Sequence, residues 1–286
     1  MNLFMKLPLR IAVAQMNILQ SNKEWNLQQA RKFIEQAASD GVELVCLPEA
    51  FATGVNFMDL HKMAEGIPDG VIFHTLVDLA TINKIHIVAG IVEKDEHGRI
   101  FDSAVIISDK GALLGKYQRR FLWTGENNYF SQGMPMYCIN SNIGRIGLLV
   151  GYDIFFPEAC HNYFLDDVDL LICVANVFEE LSNSAQQLCR ARSIENHCYF
   201  IFTSGIGEHN LINKKYMGVS MITCDPYYIT KQLKRKQSID MDILCKAGTS
   251  EVLLSRDIYI EEMKKYKKKV PFLSDLKSAL EYNVKK

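Results

Sequence analysis

Residues 144–158 read Gly-Arg-Ile-Gly-Leu-Leu-Val-Gly-Tyr-Asp-Ile-Phe-Phe-Pro-Glu. The run from Ile146 to Tyr152 is apolar at nearly every position, which suits a strand covered on both faces rather than one with a wet side. Pro157 and Glu158 then open a helix. Proline loses no hydrogen bond in a first helical turn, and a carboxylate there meets the positive end of the helix dipole. Strand, tight turn and helix in succession form the repeating unit of α/β proteins, whose ligands collect beyond the carboxyl ends of strands. Gly151 occupies such an end.

Similar apolar, β-rich runs recur at 10–16, 42–48, 85–92, 103–108, 169–174, 199–203, 219–224 and 251–255. Helical periodicity separates several of them. Over 24–39 a stripe of Leu27, Ala30, Ile34, Ala37 and Ala38 opposes Lys and Gln, the pattern of a helix lying on a core. Over 182–197 the stripe is Ala185, Leu188, Cys189 and Ile194, with Ser182 or Asn183 as the cap. Residues 69–83 and 157–165 show weaker helical patterns, and Asp95–Gly98 reads as a hairpin turn. The expectation is an α/β protein with mixed sheets, built as a two-sheet sandwich with helices outside. No period of repetition and no Pro/Gly-rich linker divides it, so a single domain over 1–286 is expected, with 226–250 as an irregular loop.

Composition excludes several functions. Lys and Arg total 32 against 33 Asp and Glu, so no global field favours nucleic acid. The lysine run at 264–269 reads as a solvated helix end. No apolar run approaches the roughly eighteen residues a membrane helix needs, and residues 9–16 read as a first strand rather than a secretory leader. A cytoplasmic location is expected. Eight cysteines lie mostly within apolar runs and form no C-x-x-C pair, so free buried thiols are expected rather than disulfides or a zinc site. No cofactor or metal is expected.

Three strand ends carry polar residues. Leu47-Pro48-Glu49-Ala50-Phe51 ends one, Gly115-Lys116-Tyr117-Gln118-Arg119 another, and Gly151-Tyr152-Asp153 the third. These stretches resemble, in the same order, the three catalytic blocks of the nitrilase superfamily of carbon–nitrogen hydrolases. The first resembles the block of the general base, the second the block ending in the catalytic lysine, and the third the block in which a cysteine precedes Tyr-Asp. Glu126 with Phe130-x-x-Gly133 resembles the segment that brings a second glutamate to the site. Arg190-Ala191-x-x-x-Glu195-Asn196 and Gly218-x-Ser220 before Asp225-Pro226 resemble later elements of that fold. The resemblance covers about 9–226, with 227–286 weakly matched. It implies an α-β-β-α sandwich of two mixed sheets between helix layers, and a homodimer.

Two positions depart from the pattern. Gly151 stands where the family has its nucleophilic cysteine, and Arg119 stands at the lysine position. In the implied mechanism the glutamate takes the thiol proton, the thiolate attacks an amide or nitrile carbon, and lysine with a backbone N–H steadies the oxyanion. Glycine has no atom to form the thioester, and loss of a nucleophile alone costs about 10⁶-fold in another hydrolase. Lys116 is displaced by an odd number of residues along a strand, which turns it to the other face. Cys160 and Cys173 read as core thiols. The degenerate site is therefore Glu49, Arg119, Gly151 and Glu126, with Phe51, Tyr117 and Tyr152 expected to touch a ligand. Glycine is expected to relieve backbone strain at 151, and Arg119 either to pair with Glu49 or to grip an anion. The expected function is binding of a small amide-, carboxylate- or amine-bearing molecule, or of a partner, without thioester chemistry. The competing reading is an active hydrolase in which Glu49 and Glu126 activate water.

Overall fold

The computed structural model describes residues 7–209, 213–231, 238 and 240–284. Along the chain lie β1 (Leu9–Gln15), α1 (Lys23–Ser39), β2 (Leu44–Cys46), α2 (Leu60–Met63), α3 (Val71–Asn83), β3 (His86–Lys94), β4 (Ile100–Ile107) and β5 (Leu113–Gln118). Then follow β6 (Ile139–Ser141), β7 (Gly144–Val150), α4 (Pro157–Leu165), β8 (Leu170–Ala175), α5 (Ser182–Glu195) and β9 (Tyr199–Ser204). The remainder comprises β10 (Ile206–His209), β11 (Lys214–Met217), β12 (Met221–Thr223), α6 (Pro226–Lys231), β13 (Ile243–Lys246), β14 (Val252–Ile258), α7 (Ile260–Lys267) and α8 (Phe272–Val284).

Two six-stranded sheets result, ordered β14-β1-β2-β3-β4-β5 and β13-β12-β9-β8-β7-β6. Each has three central parallel strands, β1-β2-β3 and β7-β8-β9, flanked by antiparallel neighbours. The architecture is the mixed α/β sandwich expected from the sequence. Alternation along each strand builds three apolar layers. In β1, Ile11 and Val13 face the second sheet, while Ala12 and Ala14 face α1 and α3. In β8, Ile172 and Val174 face the first sheet, while Leu171 and Cys173 face α4 and α5. Both faces of the central strands are dry, which is why their sequences are continuous apolar runs. Each fully buried side chain of this kind contributes about 1.5–3 kcal/mol.

Several local expectations are corrected. The N-cap of α5 is Leu181, without a side-chain cap bond, and Ser182 is already helical. On α5, Arg192 is buried and Ile194 is exposed. The guanidinium turns inward because the Ile154 carbonyl accepts from both Nε (3.1 Å) and Nη2 (2.8 Å). The segment 226–250 is not simply a loop: it contributes α6 and the edge strand β13, although 232–237 and 239 lie outside the described residues. The lysine run does not merely project into solvent. Lys264 and Lys267 pair with Asp169 at 3.6 and 3.4 Å, tying α7 to the start of β8.

Gly90, in the middle of β3, lets the chain beyond β2 lie directly on that strand. Its N–H donates to the Pro48 carbonyl (3.1 Å) and its carbonyl accepts from Phe51 N–H (3.3 Å). A Cβ there would lie 2.8 Å from Ala50 N and Pro48 O and against the Glu49 Cα. The obstruction is backbone, so Gly90→Ala is expected to destabilise the fold by about 1–3 kcal/mol. Urea unfolding with an unchanged m-value checks it, and equal midpoints would show that the Glu49 segment is free to move.

Candidate functional site

Four polar groups converge from the carboxyl ends of four strands. Glu49 follows β2 and Arg119 follows β5 in the first sheet, while Gly151 follows β7 and Asn176 follows β8 in the second. Asp153 stitches the Arg119 and Gly151 ends together. Its Oδ1 accepts from the N–H groups of Arg120 (3.2 Å) and Phe121 (2.9 Å), and its Oδ2 accepts from Tyr117 Oη (2.7 Å) and Val150 N (3.3 Å). Burial pushes the Asp153 carboxyl up to about 6, with these hydrogen bonds opposing the shift. The Arg192 fork on the Ile154 carbonyl holds the same turn from the α5 side.

At Gly151 the backbone has φ of +45°, a region that costs an L-residue with a Cβ about 1–2 kcal/mol. The strain relief expected of glycine is thus present in the backbone. A second obstacle is the Glu49 carboxylate. A Cβ on residue 151 would lie 2.8 Å from each of its oxygens and 3.0 Å from its carboxyl carbon.

That carboxylate is held at both oxygens, and the Glu49 backbone is held beside it. Its Oε2 accepts from Asn176 N–H (2.7 Å), while Asn176 Nδ2 donates to the Glu49 carbonyl (2.7 Å). Its Oε1 accepts from Arg119 Nη1 at 3.3 Å. The guanidinium also reaches Glu126 Oε2 through Nη2 (2.8 Å) and lies 3.4 Å from Asp102 Oδ2. Phe130 closes one face of the cluster, its ring centroid 5.4 Å from the guanidinium carbon. Three carboxylates thus surround one permanent cation, in surroundings where Glu49, Asp102 and Arg119 are all at most 5% exposed. Burial, and then the neighbouring Asp102 charge, raise the Glu49 carboxyl well above the usual range, with Arg119 pulling the other way. The same carboxylates hold the buried Arg119 firmly charged.

Beside this cluster opens a cavity of about 510 Å³, within the usual range for small-molecule sites. Glu49, Arg119, Gly151, Glu126 and Tyr152 all line it. Phe51 and Tyr117 do not belong to its lining. Phe51 is in the apolar layer under α1 and α3, and Tyr117 lies between the sheets with its hydroxyl on Asp153. Lys116 points away and pairs with Glu93. Cys160 and Cys173 are buried in the layer beneath α4 and α5, and burial pushes the Cys160 thiol up to about 12; neither lines the cavity. Among the described residues no group of three or more His, Cys, Asp or Glu is placed to hold a metal ion, and no helix is long and apolar enough to cross a membrane.

Sequence reasoning missed Asp102, Asn176 and the wall formed by the β10–β11 hairpin. A lone carboxylate inside the otherwise apolar run Ile100–Ile107 was a signal for the first. The strand-end rule that found Gly151 also applies to Asn176, the residue after β8. His209 and Tyr216, on strands too short for a readable period, gave no comparable sign.

A β-β sandwich between helices, with a glutamate and a cation meeting a strand-end turn, is the arrangement of the carbon–nitrogen hydrolases. The chain belongs to that family, whose model matches residues 10–236. It is 32% identical over 219 residues to a nitrilase from Pyrococcus abyssi, covering 74% of this chain and 80% of that protein. It is 30% identical over 227 residues to a deaminated glutathione amidase from Dictyostelium discoideum, covering 72% of this chain and 77% of that one. Among solved structures, a CN-hydrolase superfamily protein from Xanthomonas campestris superposes with a TM-score of 0.81 at 24% identity, over 94% of this chain and 97% of that one. This coverage extends past residue 236, where the match to the family model stops.

A carboxyl whose pKa rises on folding binds more protons folded than unfolded. Stability is therefore lost as pH climbs from the ordinary Glu value of 4.5 through the raised one. Glu49→Gln removes the charge yet keeps an oxygen for Asn176 N–H. It is expected to be more stable than the wild type above that window, the advantage vanishing as pH falls below 4.5. Urea unfolding across a pH series reads the difference, and parallel pH profiles for the two proteins would mean that Glu49 titrates as an ordinary carboxylate.

Proposed function

We propose that this chain is a silenced member of its family, which keeps the pocket to bind a small molecule and does not perform cysteine-dependent hydrolysis. The observation that carries the reading is the position of the Glu49 carboxylate, 2.8 Å from where residue 151 would carry its Cβ. Nucleophilic catalysis needs an attacking atom within hydrogen-bond reach of its base and a vacant place for the substrate carbon beside both. Here the attacking atom is absent and the base occupies part of its space.

Arg119 reinforces the reading. A lysine presents a compact point charge that can lean toward a developing oxyanion, whereas this guanidinium spends its fork on three carboxylates. The water-activating alternative is disfavoured by the same contacts. Glu49, its base, is engaged at both oxygens by Arg119 and Asn176, and Glu126 Oε2 receives Arg119 Nη2 and Trp123 N–H (2.7 Å). Retention of a lined cavity of about 510 Å³ next to the cluster supports binding over simple collapse.

The double variant Gly151→Cys/Arg119→Lys restores a thiol and frees Glu49 from the fork. Exposure to a p-nitrophenyl ester is expected to give one acyl adduct at residue 151 by peptide mass spectrometry, with none at that position in the wild type. Ammonia release from short amides by the wild type, abolished by Glu49→Gln, would overturn the reading in favour of water-directed hydrolysis.

A further inference from the structure

The walls and floor of the cavity differ sharply in chemistry. The floor carries Glu49 and Glu126, with Asp102 buried behind, against the single charge of Arg119. Three carboxyl groups thus share one guanidinium at and behind the floor. The walls are aromatic, formed by Phe57, Trp123, Tyr129, Tyr152, Phe178 and Tyr216. At the rim Lys214 pairs with Glu180, so its charge does not offset the floor, and its Nζ stands 6.0 Å from the Phe178 ring centroid. A side chain of the protein thus already places an ammonium over one of these rings.

A second, independent feature is His209. It lines the cavity and is 2% exposed. Its Nε2 meets the Val55 carbonyl at 2.7 Å and must therefore carry the proton. Its Nδ1 is left as an acceptor with no partner among the described residues. A buried acceptor without a donor is costly, and because this nitrogen is itself covered, a ligand N–H reaches it only if the ring turns toward the cavity.

We infer that the cavity holds a primary ammonium group, a short aliphatic amine whose charge lies against Glu126 and Glu49 while its carbon chain packs on the aromatic walls. The inference deepens, and rests on, the reading that the pocket binds without turnover. An aliphatic amine is protonated at neutral pH and neutralises the surplus negative charge. Electron-rich ring faces also attract such a cation. A carboxylate finds the guanidinium already shared among three acids, and a neutral amide leaves the surplus uncompensated.

Calorimetric titration of the full chain at low salt and pH 7.5 with butylamine, butyrate and butyramide tests it, with ammonia assayed after each titration. Butylamine is expected to bind saturably, and the other two at least about tenfold more weakly, the discrimination expected for one unpaired buried charge. Glu126→Gln is expected to weaken butylamine at least about tenfold. Trp123→Leu, at a half-exposed position that leaves the ion cluster intact, is expected to weaken it about threefold to tenfold. Absence of butylamine binding, butyrate binding as tightly as butylamine, or unchanged affinity in both variants overturns the inference. Conversion of butyramide to butyrate and ammonia would instead sink the underlying reading of an inert pocket, so the two failures are distinguishable.

Discussion

The site depends on one buried guanidinium. Arg119 is 4% exposed, and a cation cannot be taken so far from water unless it is paired and hydrogen-bonded. Glu49, Glu126 and Asp102 supply that pairing. Removing the cation from among buried acids of this kind typically costs about 3–5 kcal/mol, so the cluster constrains every element that feeds it. The chain beyond β2 delivers Glu49, β4 delivers Asp102, and the turn around Glu126 is drawn in by Nη2 and Trp123 N–H. Glycine at 151 fits this constraint on both counts, a positive φ and the lack of a Cβ that would collide with the Glu49 oxygens. Arg119 and Gly151 are therefore physically linked: the fork holds the Glu49 carboxylate in space that a side chain at 151 would need.

Much of the fold was legible because the central strands are dry on both faces. A run such as Leu170–Ala175 has no polar position to blur it, and burial of both alternating sets explains why. Legibility failed where stability comes from specific polar contacts instead. Nothing in the periodicity of α5 announces that Arg192 turns inward to the Ile154 carbonyl while Ile194 faces solvent. The short strands β6, β10, β11 and β13 lack the length for a pattern to emerge. In the site, Glu49, Arg119, Gly151 and Glu126 were brought together as their motifs suggested, and Tyr152 joined them on the cavity wall. Phe51 and Tyr117 went elsewhere because neither motif is one continuous strand: residues 49–53 form a turn with Ala50 at positive φ, and β5 ends at Gln118, between Tyr117 and Arg119. A motif locates a stretch of backbone and does not say which of its side chains faces the pocket.

The family supplies a frame that brings a base and an oxyanion-stabilising cation to the end of β7. In this chain Glu49 and Arg119 lie at that place and pair with one another. What remains open is the aromatic-walled space beside them, closed from above by β10 and β11 through His209 and Tyr216. Burial first, and then the neighbouring Asp102 charge, raise the Glu49 carboxyl. Protonation and ligand occupancy are thus linked at the same carboxylate: whatever brings positive charge to the floor makes that proton easier to lose.

The most direct measurement is the pH titration of ¹³C-carboxyl-labelled glutamate by NMR, with Glu49 identified through the signal missing from Glu49→Gln. This resonance is expected to titrate well above the ordinary glutamate range. A Glu49 signal titrating in the ordinary carboxylate range would contradict the account, because burial and the neighbouring Asp102 would then not outweigh the pull of Arg119.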